Sequence, residues 1–195
     1  MTLILGLIRH GITDWNEFGR TQGQRDIPLN ETGRRQAHAL GRRIPPRAWD
    51  VLYSSDLSRA AETAHIVSIH TKLEPVRADI LLRERSFGLL EGLTREERFS
   101  QWGERALEHP EVETSENVLK RGMAFIDAVL KRHANQRVLA VSHGAFIRHL
   151  LPALLTDQDV PEGALDNASL TILQFDGARW RCLLFNGSVP EPEIS

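Results

Sequence analysis

Five apolar runs of strand length, at residues 3–8, 51–53, 138–141, 170–175 and 180–185, are separated by segments whose apolar residues recur at helical spacing. The helical sets are Ala37, Leu40, Gly41 and Ile44, then Leu57, Ala60, Ala61 and Ala64, then Val118, Gly122, Phe125, Ile126, Val129 and Leu130. A further helix is expected after Gly144, and a weaker strand candidate lies at 73–76. Strands alternating with helices pack as a three-layer α/β/α sandwich on a mostly parallel sheet. The last two runs flank Asp176-Gly177, a hairpin signal, so one edge of the sheet is expected to be antiparallel and the sheet mixed. At 195 residues the chain fits one domain, expected over 1–188 with a loose tail at 189–195.

Charge and cysteine usage narrow the classes of function. Lys plus Arg is 24 against 26 for Asp plus Glu, a net charge of -2, which excludes the basic excess of a general nucleic-acid or membrane-surface binder. No nucleic-acid or membrane partner is expected. The single cysteine, Cys182, forms neither an intrachain disulfide nor a Cys-x-x-Cys metal site. The first residues lack a basic leader and their apolar run is too short for a signal or a membrane span, so the cytoplasm is the expected location.

In open α/β sheets ligands bind beyond the carboxyl ends of the strands. Three strand ends carry chemistry: Arg9-His10-Gly11, Ser54-Ser55-Asp56-Leu57-Ser58-Arg59 and Ser142-His143-Gly144. Two arginines and two histidines converging on one crevice repel one another unless an anion joins them, and a phosphate dianion suits the planar guanidinium fork. The helix N-termini after Ser55 and Ser142 are expected to add positive potential, and the glycine after each histidine to let a ligand approach the backbone. Each piece alone is compatible with a solvated loop, but three at predicted strand ends are hard to explain as structure only.

The run Leu7-Ile8-Arg9-His10-Gly11-Ile12-Thr13-Asp14-Trp15-Asn16 resembles the signature of the histidine phosphatase superfamily, the phosphoglycerate mutase-like family. The resemblance extends through Thr21-Gln22-Gly23, residues 26–33, Ser54–Ala60, Leu82-Arg83-Glu84, Gly88, Glu91-Gly92 and Val141-Ser142-His143-Gly144. It implies that His10 is a nucleophile forming a phosphohistidine, with Arg9, Arg59 and His143 around the phosphoryl oxygens. Asn16, Gln22, Gly23 and the backbone of Gly144 would complete the pocket. Glu84 would protonate the leaving alkoxide and then activate water, work that one carboxyl does when it exchanges its proton near neutral pH. On the residues alone, Glu84 between Arg83 and Arg85 reads equally well as an exposed ion pair. Arginines would replace a metal in this scheme, so neither metal nor cofactor is expected.

The stretch 85–116 is expected to form a short lid. It holds four arginines and eight glutamates, a poor cradle for a second phosphate, and Phe87-Gly88-Leu89-Leu90-Glu91-Gly92 looks like the phosphatase branch. Glu113-Thr114 with Arg121 approximates that branch's Gly-Glu-Ser element without its glycine, and Ile12 stands where relatives are usually acidic. Trp15 and Trp102 are candidates for the substrate mouth, Trp49 and Trp180 for the core. The expected activity is hydrolysis of a small phosphomonoester. Phosphoglycerate mutase and a non-catalytic phosphate-binding or regulatory module stand as alternatives, and a homodimer is left open.

Overall fold

A computed structural model describes residues 2–156 and 160–187, so the tail expected at 189–195 lies outside the described residues. Six strands form one sheet, in the order β3-β2-β4-β1-β5-β6: β1 (Leu3–Arg9), β2 (Val51–Ser54), β3 (Arg77–Ala78), β4 (Arg137–Ser142), β5 (Leu170–Phe175) and β6 (Trp180–Gly187). The pairs β1/β4, β2/β4 and β2/β3 are parallel, while β5 and β6 add the antiparallel edge. The expected sandwich is therefore present, and the chain reversal lies at Asp176-Gly177. There Asp176 Oδ1 accepts from the backbone of Ala178 and Arg179 at 3.0 Å each, and Gly177 takes φ +104°. The weak strand at 73–76 is displaced: pairing falls on Arg77–Ala78, and Leu73 is buried in the core instead.

Strand alternation divides β1 between two cores. Leu3, Leu5 and Leu7 pack with α5 (Ser115–Arg132) and α6 (Gly144–Leu154), in a cluster that includes Phe125, Phe146 and Trp180. Ile4 and Ile8 turn to α2 (Glu31–Arg43) and α3 (Ser58–Thr71), in a cluster that includes Leu40, Ala64 and Trp49. Between them Gly6 makes room for an indole: a Cβ there would lie 2.8 Å from Trp49 Cη2. Both tryptophans assigned to the core are buried there.

Two helices escape the periodicity reading, α1 (Asp14–Glu17) and α4 (Arg95–Trp102), because neither has a buried residue to show as a period. Their signal is at the cap. Thr94 and Glu97 form a capping box, as do Thr13 and Asn16. Helix α4 lies inside the stretch expected as a lid, whose own small core is Leu90, Ala106 and Val112 with Phe87, Leu89 and Trp102 against it.

Candidate active site

Strands β2, β4 and β1 are parallel neighbours, with Arg9 opposite Ser142 and Ser54 opposite Val141, so the three chemically loaded strand ends share one edge of the sheet. A cavity of about 620 Å³ opens there. Arg9, His10, Asn16, Gln22, Gly23, Arg59, Glu84 and Gly144 all line it. His143 stands behind them, wholly buried, with its ring edge-to-face against His10 at a centroid distance of 5.1 Å.

The tautomer of His10 follows from its partners. Nδ1 lies 2.7 Å from the Gly11 carbonyl, which can only accept, so Nδ1 carries the proton and Nε2 presents a lone pair. Arg59 Nε donates to that Nε2 at 3.2 Å. Burial, then the charges of Arg59 and Arg9, push the His10 pKa well below its ordinary 6.5. His143 is pushed the same way, by burial first and then by Arg59. Both rings are therefore neutral at pH 7. Below about pH 6.5 the unfolded chain takes up protons that these folded histidines refuse, so stability falls as pH falls. The expected slope is roughly 1.4 kcal/mol per pH unit for each histidine. Urea unfolding between about pH 7 and pH 5 checks this: the midpoint should drop, less steeply in His143→Gln, and a flat midpoint would contradict the buried neutral pair.

Around His10 the polar groups are oriented to receive negative charge. Arg59 is fully buried and donates to the Gly23 and Arg25 carbonyls at 2.7 and 2.8 Å, and burial lowers its pKa to about 10, leaving it protonated at pH 7. Arg9 donates from Nη1 to the Leu165 carbonyl, while its Nε and both ring nitrogens of His143 are buried without a hydrogen-bond partner. Buried polar atoms are rarely left so, and an absent ligand is one standing cause. The amides complete the pattern. Thr13 Oγ1 donates to Gln22 Oε1 at 2.9 Å, and Asn16 Oδ1 accepts from Thr13 and Asn167. Both amide oxygens are occupied, which leaves the NH₂ donors for a guest.

Glu84 is buried, and neither neighbouring arginine pairs with its carboxylate: Arg83 binds Asp56 and Arg85 binds the Glu113 carbonyl. Three backbone donors hold the carboxylate instead. Oε1 accepts from Arg85 and Phe146 at 2.8 Å each, and Oε2 from Ala145 at 3.1 Å. Of roughly four lone-pair directions three are filled, so the open one belongs to Oε2. Behind Glu84 stands Arg121, which donates to the carbonyls of Leu81, Arg83 and Glu84 and pairs with Glu113 at 2.8 Å. Glu113 in turn accepts from Ser86 N–H at 3.0 Å and donates its own N–H to the Ser86 carbonyl at 2.9 Å, closing the base of the lid.

Several expectations change. At the N-terminus of α6 the N–H groups of Ala145 and Phe146 are taken by Glu84, and the first N–H of α3, on Ser58, donates to Asp26 Oδ1 at 2.7 Å, so these donors do not serve a phosphate. Of the glycines after the histidines, Gly11 serves packing, since a Cβ there would lie 2.5 Å from the Gly33 carbonyl oxygen, while Gly144 lines the cavity with room for a Cβ limited by Arg9 Nε at 3.3 Å. Neither Trp15 nor Trp102 reaches the cavity. Trp15 covers Gly92, and Trp102 joins the lid core. Ile12 also lies off the cavity wall, its N–H donating to Gln36.

The acidic count of 85–116 does not reach the cavity either. Glu91 accepts from Gln24 and Phe87, Glu97 pairs with Arg20, and Glu113 pairs with Arg121. The residues that this stretch contributes to the cavity are Phe87 and Arg98. Arg20 and Arg148, unsuspected from sequence, line it as well. Among the described residues no group of three or more His, Cys, Asp or Glu side chains could hold a metal ion, and no helix is long and apolar enough to cross a membrane.

Known proteins resemble this chain over nearly its whole length. The family model of the histidine phosphatase superfamily, branch 1, matches residues 5–188. An uncharacterized phosphatase, PhoE, of Bacillus subtilis is 37% identical over 181 residues, covering 92% of each chain. A probable phosphoglycerate mutase, GpmB, of Yersinia pestis is 36% identical over 89% of this chain and 86% of its own. Among solved structures, a mycobacterial glucosyl-3-phosphoglycerate phosphatase in complex with VO3 superposes with a TM-score of 0.86 at 32% identity, covering 95% of this chain and 99% of that one. With that match spanning nearly the whole sheet and all three strand ends, the chain belongs to the histidine phosphatase superfamily, branch 1.

Proposed function

We propose that this enzyme is a metal-independent phosphomonoesterase that hydrolyses a small phosphorylated metabolite through a phosphohistidine on His10. The observation that carries this is the pair of unpartnered groups, Arg9 Nε and His143, buried beside a neutral His10 whose ring lone pair is on Nε2. A phosphoryl group supplies acceptors for the Arg9 Nε–H and for the single N–H of the neutral His143 ring. A relative that binds a vanadium oxyanion supports the same kind of guest.

His10 Nε2 attacks phosphorus and the bond from phosphorus to the ester oxygen breaks. The departing oxygen takes the proton carried on Glu84 Oε2, the oxygen with an unused lone pair. A water then attacks the phosphohistidine, giving its proton back to Glu84 as the P–N bond breaks and inorganic phosphate leaves. Arg59 is placed to pass from Nε2 to a phosphoryl oxygen as the attack begins, and with Arg9 it offsets the charge of the transition state without a metal. Asn16, Gln22, Gly23 and Gly144 form the surrounding wall.

The test is a panel of phosphorylated sugars, amino acids, nucleotides and glycerates assayed for released phosphate with chelator present. Release from at least one class at undiminished rate supports the proposal, and loss of all activity on chelation overturns metal independence. The resemblance to a probable mutase favours one second reading. Incubating 3-phosphoglycerate with bisphosphoglycerate separates the two, since 2-phosphoglycerate without free phosphate would establish phosphoryl transfer. Tight phosphate binding with no turnover on any ester would instead mark a binding module.

A further inference from the structure

Strand β5 runs antiparallel to β1, so its amino end lies at the edge of the sheet where the site is built. The residues just before it reach the nucleophile. The His10 carbonyl accepts from the backbone N–H of Ala168 at 3.1 Å and from the side-chain Nδ2 of Asn167 at 3.1 Å. Ala168 is buried and takes φ +53°, the left-handed region that a residue with a Cβ enters only where its surroundings hold it there. The turn is bent so that the Asn167 amide and the next N–H grip one carbonyl. The same Nδ2 donates at 3.3 Å to Asn16 Oδ1. Asn16 lines the cavity, whereas Asn167 stands behind it.

This bridge decides which end of the Asn16 amide a guest meets. A carbonyl only accepts, so the group that Asn167 turns to His10 is its NH₂, and the Asn16 atom that meets this NH₂ is its oxygen. The Thr13 N–H donates to the same oxygen at 3.2 Å and fixes the same orientation. We infer that Asn167 is a positioning residue of the phosphoryl site: it does not touch the phosphate, but it ties Asn16 Oδ1 to the main chain of the nucleophile and so keeps the Asn16 NH₂ for the anion. The inference rests on the phosphate-accepting reading of the cavity given above. Without the bridge the Asn16 amide keeps only its contacts with Thr13, and a half-turn about its last bond sets an oxygen against the anion. A carboxylate at 167 enforces that half-turn, because it repels the amide oxygen and attracts the NH₂.

A double-mutant cycle tests it, read as the dissociation constant of orthovanadate by titration calorimetry. Asn16→Ala should weaken vanadate about tenfold, the scale of one hydrogen bond to a charged group, and Asn167→Ala about fivefold, since Thr13 still holds the amide in part. With Asn16→Ala already present, Asn167→Ala should cost less than about twofold, because the amide it positions is gone. Asn167→Asp has the same shape and should weaken vanadate more than about tenfold with Asn16 present but no more than about threefold without it. It carries the cycle by itself should the alanine variant fail to fold. A structural loss, or the added charge acting directly on the anion, weakens binding by the same factor in both backgrounds, and equal factors overturn the inference. If wild type binds no vanadate, the phosphate reading of the cavity falls and this inference with it. Vanadate bound tightly with equal factors removes the role of Asn167 alone.

Discussion

Replacing His10 by alanine lowers kcat on the order of 10⁴-fold or more and abolishes acid-labile phosphate labelling, because the covalent intermediate has no other atom on which to form. The expectation comes from geometry. His10 is 2% exposed, its Nδ1 proton is fixed by the Gly11 carbonyl, and its Nε2 faces the buried donors of Arg59. Other histidines in the chain lack this setting. His133 is engaged through both nitrogens, by Tyr53 and Gln136, and His38 and His70 meet each other at 3.0 Å where α2 packs on α3. Rapid-quench labelling with ³²P-labelled ester checks the result, and undiminished acid-labile label in His10→Ala would place the nucleophile on another residue.

Glu84→Gln should lower kcat on alkyl esters by roughly 10² to 10⁴, the usual worth of a positioned general acid, and leave an aryl ester with a good leaving group much less affected. Glutamine has one acceptor oxygen, so one of the three N–H groups of Arg85, Ala145 and Phe146 also loses its partner. That costs about 1–3 kcal/mol of stability. The alkyl-to-aryl contrast separates the two effects, because a mere loss of stability lowers both rates alike. Equal losses on the two esters would remove Glu84 from the proton-transfer role.

The strand ends of the site were readable because each is a short apolar run followed by its charged group, and a parallel sheet brings such ends to one edge. Arg9, His10, Arg59 and His143 meet for that reason. Glu84 was different. Nothing local distinguishes it from an exposed partner of Arg83 or Arg85, and only resemblance singled it out. Its three N–H donors come partly from α6, some 60 residues away, a pairing that spacing does not encode. Arg98 was hidden by averaging, since the sign of a segment says nothing about which way each side chain turns. Helix α4 was hidden by its polarity, although Thr94 and Glu97 spelled out its start.

The base of the lid, closed by the two hydrogen bonds between Ser86 and Glu113 and locked to Arg121, has a consequence for how this scaffold diversifies. A loop fastened at its two feet can change length cheaply, since each doubling costs only about 0.6 kcal/mol in closure entropy. The feet also fix the carbonyls next to Glu84, so material inserted between them leaves the proton donor where it was. Residues 94–112 are thus the exchangeable part: rewriting them can bring new substrates, while the bonds of Thr21 to Gly92 and Leu93 and of Gln24 to Glu91 keep the cavity wall in place.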